Sequence, residues 1–471
     1  MNKREAGLLE ARKIYGEEAE AALRDHLAIM GEELCTWLSD LYEPRRCICD
    51  NFDSDGNRVC LLPKDADGKP LCTGGGYYYS NSARDTEGFD IDVESTAQVL
   101  SFCSTSGLLD GYGSSRAAYP KQMQLDLCAF AKSLQDSEDG YFYHPRWGKN
   151  INVSRKGRDL MWATSILRTF GDMPLYDTKN GVKGSLGAPS GVASECEDVP
   201  SSAWPEHLAT LDAFREYIRS FELKTKSYPT GNALNAQMGQ IAARDKQAIA
   251  DGEAKDENGD GIAEDGYIAE FERYFNAMQN PENGTWEDEL HYNSTNGLMK
   301  IAMIYNTLGI KLNFAETAYR SAIKMALLPV GVPDSKGKMT TGSVDVYNPW
   351  VAMTYILENV KKFGTTADVE RLKAILAEHA VELIRTTTEK TKKFKKPDGS
   401  FGYTWSKSLH LSQGASVCPE GFVEGDVNGG TIATRGIFGN MIHSLGLDIP
   451  MFSSKDFEKY ITRIKEKCNY K

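Results

Sequence analysis

An all-α chain of consecutive helical hairpins, with only short β-hairpins in its loops, is the fold class this sequence predicts. Three observations predict it. Apolar residues recur at helical spacing through most of the 471 residues. Loops of one form return along the chain: an acidic or amide residue, then Gly, then aromatics. The returns are separated by one or two lengths of roughly 57 residues, the size of a helix hairpin, as a stacked or closed array of helix pairs requires. No distinct capping repeats flank the series, which favours a closed ring over an open solenoid. The expected architecture is therefore a single (α/α)6 or (α/α)7 toroid, or barrel of helical hairpins, over residues 1–471. Two insertions interrupt it, a Cys-rich one at 44–75 and a Gly-, Pro- and Ser-rich loop at 171–203.

The helical runs fall near residues 5–43, 93–109, 123–134, 155–171, 203–225, 230–251, 264–279, 298–308, 346–361, 365–387, 430–446 and 454–467. Met123, Leu127, Phe130 and Leu134 form one apolar stripe, and Leu298, Ile301, Ala302, Tyr305 and Leu308 another, with Gly309 placed to stop the helix. Asn313-Phe-Ala-Glu316 has the spacing of a capping box. The recurrent loops are Gly76-Tyr77-Tyr78-Tyr79, Asp139-Gly140-Tyr141-Phe142, Asn283-Gly284-Thr285-Trp286 and Asp398-Gly399-Ser400-Phe401. Each reads as a helix end whose Gly takes positive φ while aromatics pack back on the array. Asp345-Val-Tyr-Asn-Pro-Trp350 falls where a further loop of the series is due.

Gln135-Asp-Ser-Glu-Asp-Gly140-Tyr-Phe-Tyr-His144 and Gln279-Asn-Pro-Glu-Asn-Gly284-Thr-Trp286 resemble the Gln…Gly-x-aromatic repeats of terpenoid-cyclase and prenyltransferase toroids. There is one extra residue between Gln and Gly, and the third copy lacks the Gln. The resemblance spans residues 75–450 and implies the α/α-toroid architecture. Similar toroids house polysaccharide lyases and glycoside hydrolases, so function must be argued from residues.

Composition narrows the partners. The formal charge of −12 opposes duplex nucleic acid and anionic membrane surfaces, which call for basic protein. The N-terminus lacks an apolar signal core and no stretch has the length of a membrane span, so a cytoplasmic protein with reduced cysteines is expected. An anionic sugar remains compatible, because a local basic pocket suffices.

Four polar, aromatic-rich stretches are the candidate site, since loops at one end of a toroid line its cleft. The first, Tyr77–Glu94, offers Tyr79, Asn81 and Arg84 for sugar hydroxyls or a carboxylate. Helix capping by Asp90 or Asp92 and pairing of Arg84 with Asp85 or Glu87 are its structural alternatives. The second sets Tyr143 and His144 beside Arg146 and Trp147, suited to stacking on a sugar face and binding an anion. The third runs from Trp286 through Glu287 and Glu289 to His291, Tyr292 and Asn293 at an expected helix start. The fourth holds Tyr403 and Trp405, then Glu420, Glu424 and Asp426 in a Gly-rich loop without nucleotide-loop spacing.

Two metal sites also come into view. Cys47, Cys49, Cys60 and Cys72 can surround zinc, although Cys-x-Cys is an unusual spacing. Asp256-Glu-Asn258-Gly-Asp260-Gly261 matches the first half of a calcium loop but has Tyr267 where the bidentate Glu belongs.

The leading expectation is a carbohydrate-active lyase that cleaves uronate-containing chains by β-elimination and needs no cofactor. Asn81, Arg84 or Asn293 then neutralises the carboxylate, His144 or His291 takes the proton, and Tyr143, Tyr292 or Tyr403 protonates the leaving oxygen. The alternative is an inverting glycoside hydrolase with two carboxylates drawn from Glu87, Asp90, Asp92, Glu287, Glu289, Glu420, Glu424 and Asp426. A terpenoid-cyclase-like enzyme and a non-catalytic binding toroid stand behind these. The oligomeric state is not legible in the sequence.

Overall fold

The computed structural model describes residues 2–47, 52–57, 72–191 and 204–470, without the side chains of Cys47 and Cys72. Helices dominate them. In order these are α1 (Lys3–Tyr15), α2 (Glu17–Leu27), α3 (Glu33–Asp40), α4 (Asn81–Asp85), α5 (Val93–Thr105), α6 (Ser115–Ala118) and α7 (Lys121–Ser133). There follow α8 (Val153–Thr169), α9 (Glu206–Ala209), α10 (Leu211–Arg219), α11 (Ser227–Asn235), α12 (Met238–Ala250), α13 (Tyr267–Met278) and α14 (Tyr292–Leu308). The chain ends with α15 (Ala315–Leu327), α16 (Val344–Phe363), α17 (Thr366–Lys392), α18 (Val427–Thr431), a π-helical segment (Ile432–Gly439), α19 (Asn440–Ser444) and α20 (Ser454–Cys468). The strands are dipeptides: β1 (Tyr42–Glu43), β2 (Arg46–Cys47), β3 (Cys72–Thr73), β4 (Gly76–Tyr77), β5 (Leu411–Ser412) and β6 (Ala415–Ser416). They pair antiparallel as β1–β4, β2–β3 and β5–β6. No described helix is long and apolar enough to cross a membrane.

Both apolar stripes read from the sequence are buried, on α7 and α14. Gly309 ends α14 at φ 76°, its N–H returning to the Tyr305 carbonyl. Asp92 caps α5 by accepting from the Ser95 N–H at 2.8 Å. Of the four recurrent glycines, Gly140, Gly284 and Gly399 take positive φ, as expected. Gly76 differs: it lies in β4, where an added Cβ would come within 2.7 Å of Thr96 Oγ1 and 2.9 Å of Ile91 Cδ1. Close approach, not turn geometry, requires glycine there.

Three further expectations are corrected. Asn313 is not the N-cap of α15; Phe314, at φ 49°, holds that position without a side-chain bond, and Glu316 pairs with Arg320 and Arg371. Asp345–Trp350 is not a loop but the first turns of α16, which carries Pro349. The run near 430–446 is interrupted by the π-helical segment. Such segments widen a helix and often sit at functional sites.

The helices pack in definite neighbour pairs. α5 lies on α8, α8 on α11, α11 on α14, and α14 on α16. α16 meets the π-helical segment and α19, while α18 returns to α5. Around these six stations, α7 packs on α8, α15 on both α16 and α17, and α17 on α2. The α11–α14 approach depends on missing side chains: a Cβ at Gly231 would sit 2.6 Å from Lys300 Cβ, and one at Gly297 2.6 Å from Ser227 Cβ. One hydrophobic cluster runs from Leu8 to Ile464 and includes Trp286 and Trp350. Each fully buried large side chain contributes about 1.5–3 kcal/mol of transfer free energy.

Candidate functional site

Helices of that series line a cavity of about 330 Å³. Its lining comes from every station: Gln98 on α5, Arg158 and Trp162 on α8, and Tyr228, Asn232 and Asn235 on α11. Met299, Lys300 and Met303 come from α14, Tyr347, Asn348 and Tyr355 from α16, and Asn428, Thr431 and Arg435 from α18 and the π-helical segment. Tyr403 and the β5–β6 hairpin, through Leu411, Ser412 and Gln413, complete the wall. Three basic residues line this cavity, and no Asp or Glu does among the described residues. A larger depression of about 640 Å³ lies on the surface between α3 and α20. There Arg463 pairs with Asp40 at 2.9 Å and Lys459 with Glu32.

A buried ion network fixes one wall. Glu94 accepts from Arg155 at 2.9 Å, from Arg158, from the Ser412 hydroxyl at 3.1 Å and from the Gln98 amide at 3.1 Å. Arg155 also meets Asp159 at 2.8 Å. Burial works to raise Glu94, but Arg158 and Arg155 outweigh it and hold the carboxyl at about 2. Asp159 follows burial instead and rises to about 6, despite Arg155. Arg158 is thereby held at the cavity as a permanent cation.

Lys300 is different. It makes no hydrogen bond or ion pair with any described residue, yet it lines the cavity. Burial, reinforced by Arg158 and opposed by Glu94, lowers its amine to about 7. Asn348 is 0% exposed, and neither its Oδ1 nor its Nδ2 has a partner. A buried amide normally satisfies both ends, and this one satisfies neither among the described residues.

Of the residues expected at the site, Tyr403 alone lines the cavity. Burial and the neighbouring Tyr228 keep its phenol protonated, well above the ordinary tyrosine value. The loops do converge. Ser80 bridges Asp426, joining first and fourth, and His144 Nε2 donates to the Ile91 carbonyl at 3.0 Å, joining second and first. The bridge between Gly342 and Thr404 ties the fourth to the segment that holds the third.

Within those loops many polar groups satisfy one another, although Trp147 Nε1 and Trp405 Nε1 have no hydrogen-bond partner among the described residues. His144 is buried with both nitrogens engaged, Nδ1 accepting from the Arg146 N–H at 3.2 Å, and its ring stacks on Trp147 at 3.9 Å. Burial lowers it to about 4, so it stays neutral. His291 pairs with Glu287 at 2.9 Å, and Glu287 also accepts from the Ser227 N–H and hydroxyl. Burial works to raise Glu287, but these bonds outweigh it and lower its pKa. Tyr143 donates to Asp139 at 2.7 Å, and burial together with that carboxylate raises it. Tyr292 is buried against Thr340, and burial carries it to about 12.

Arg84 makes a two-point bond to Asp85, at 2.7 and 2.8 Å, and Asn81 opens the short α4. Glu424 caps that helix through Ser82. Arg146 lies 3.8 Å over the Phe89 ring. Trp286 is a core residue whose Nε1 donates to the Phe275 carbonyl at 2.8 Å, and Trp405 packs on Phe394. Asn293 is exposed and accepts from Lys338, while Glu420 is exposed near Lys407. Tyr79 is buried beside Asp426. Asp426 caps α18 and accepts from the Tyr403 and Gly429 N–H groups at 2.7 Å each; burial nevertheless raises it to about 6.

Cys49 and Cys60 lie outside the described residues, so the expected zinc quartet does too, although the backbones of Cys47 and Cys72 pair directly. In the acidic loop, Asp256 accepts from the N–H groups of Gly259, Asp260 and Gly261, closing a turn. Among the described residues no group of three or more His, Cys, Asp or Glu side chains is placed to hold a metal ion.

The sequence signal that was available for the cavity is a polar residue inside an apolar helical stripe. Arg158 and Lys300 are each followed at helical spacing by two apolar residues, Met161 and Trp162, and Met303 and Ile304. Comparison with protein-family models, curated proteins and solved structures finds no match to this chain.

Proposed function

We propose that the six helical stations form the inner wall of an α/α-toroid, and that its central cavity binds an acidic sugar and cleaves its glycosidic bond by β-elimination. The observation that carries this reading is the composition of the wall: three basic residues, several amides and aromatics, and no carboxylate among the described lining residues. Aromatic faces and amides suit a sugar ring and its hydroxyls, while Arg158 and Arg435 suit its carboxylate. Neutralising that carboxylate acidifies the adjacent C–H, because the developing enolate charge falls where the cations already are. Lys300, with an amine near neutrality, takes the proton, and Tyr228 or Tyr403, both held protonated by burial, returns one to the leaving oxygen. The base thus moves from the histidines of the loops to a helix-borne lysine.

An inverting hydrolase needs two carboxylates about 6.5–9.5 Å apart facing the substrate. The lining supplies neither, which is why the hydrolase reading stands behind. The test is a panel of uronate-containing and neutral glycans, followed by the ultraviolet absorbance of a conjugated uronate and by reducing ends. Absorbance growth on the acidic glycans is expected. Reducing ends without it would overturn elimination in favour of hydrolysis.

A further inference from the structure

Lys300 supports a second kind of chemistry that does not rest on the elimination reading. We infer that the Lys300 amine is a nucleophile for small anionic carbonyl compounds, such as 2-oxo acids, and forms a Schiff base with them inside the cavity. The geometry carries this. Lys300 lines a 330 Å³ cavity, has no hydrogen-bond or ion-pair partner among the described residues, and shares the wall with Arg158 and Arg435. Guanidiniums suit a carboxylate by two-point contacts, and Arg158 lies near enough to act on the Lys300 amine electrostatically, so an anionic carbonyl compound bound there would present its carbonyl to that amine. An amine flanked by cations in a partly dry site is the arrangement that activates lysine toward carbonyls. Burial and Arg158 supply the neutral lone pair.

The step balances. The Nζ lone pair attacks the carbonyl carbon, the oxygen takes a proton from a cavity phenol such as Tyr403, and the nitrogen sheds a proton. The carbinolamine then loses water to leave C=N. No oxidant or further reactant is needed.

Lys390 provides an internal control. Burial lowers it to about 7 as well, but its Nζ donates to the Ala326 carbonyl at 3.0 Å and it lies in no described cavity.

The experiment treats the intact protein at neutral pH with limiting glyoxylate and cyanoborohydride, then maps carboxymethyl groups by peptide mass spectrometry over time. Cyanoborohydride supplies the hydride that fixes the imine. At pH 7 an ordinary lysine is neutral in roughly 0.04% of molecules and one with a pKa near 7 in about half, so Lys300 is expected to react on the order of 10³-fold faster than exposed lysines. Lys390 is expected to stay unmodified. Excess pyruvate added to the same mixture should slow carboxymethylation of Lys300 by competing for its amine, and Arg435→Gln should slow glyoxylate more than acetaldehyde. Labelling of Lys300 no faster than of surface lysines would overturn the proposal, as would equal labelling of Lys300 and Lys390. Because mapping on the unaltered chain decides the matter, no variant has to fold, and a positive result stands even if every glycan assay is silent.

Discussion

The four polar loops and the wall of the cavity contain the same kinds of side chain in different conditions. In the loops, His144, His291, Tyr143, Glu424 and Asp426 each hold a specific partner. On the wall, Lys300 and Asn348 hold none among the described residues. A polar group that has found its partner in the folded chain has already spent the interaction it would give a ligand. Lys300 and Asn348 have not, although other wall residues have, Arg158 with Glu94 and Arg435 with Ser101, and leaving a polar group unmet costs stability. The two lysines near neutrality sharpen the contrast, because burial perturbs both and only Lys300 faces open space.

The largest effect that tests this contrast is on turnover. Lys300→Met should reduce elimination by ~10²–10⁴-fold, the range a general base contributes. Its folding should be retained, since an uncompensated buried amine is removed. His144→Gln and His291→Gln, assayed per folded molecule, should lie within a few-fold of the unaltered protein; a loss matching that of Lys300→Met would return the chemistry to the loops.

Next comes the ion network that holds Arg158. Arg155→Met leaves Glu94 and Asp159 short of their cation, and denaturant unfolding should show a loss of about 3–5 kcal/mol. A loss under 1 kcal/mol would mean the network is not a structural anchor of the wall. His144→Gln belongs one step lower, at about 1–2 kcal/mol of stability, for the bonds to Ile91 and Arg146.

Asp426 gives a pH test. Its folded pKa is raised to about 6, so its contribution to stability is full below its unfolded value and is lost as pH rises through 6. The stability of the unaltered protein relative to Asp426→Asn should therefore fall by about 2–3 kcal/mol between pH 4 and 7. A difference constant with pH would show that the carboxyl is not perturbed. The smallest effect is expected at Asp85→Ala, where an exposed pair with Arg84 is lost and unfolding should shift by under about 1 kcal/mol.

What was legible in the sequence follows the same division. Helical class, the stripes of α7 and α14, the Asp92 cap and three positive-φ glycines were readable because each is set by residues close in the chain. The cap at Asn313 and the loop at Asp345 failed because tertiary packing chose a different helix start in each case. Tyr403 was found because it lies in a loop dense in polar groups. Arg158, Lys300, Asn348 and Arg435 were missed because each sits among other polar residues of its own helical segment, and only the convergence of separate helices turns such residues into a site. Glu94 stood inside a stretch singled out for its hydrogen-bonding groups, but its pairing with Arg155, 61 residues away, is not a local property.

The central claim is that the chemistry resides on the cavity wall and not in the loops. The most direct measurement is the initial rate of uronate absorbance on the best acidic glycan for the unaltered protein, Lys300→Met, His144→Gln and His291→Gln, at matched folded concentration. The account predicts that the rate collapses for Lys300→Met alone. Full activity in Lys300→Met with loss in either histidine variant would contradict it.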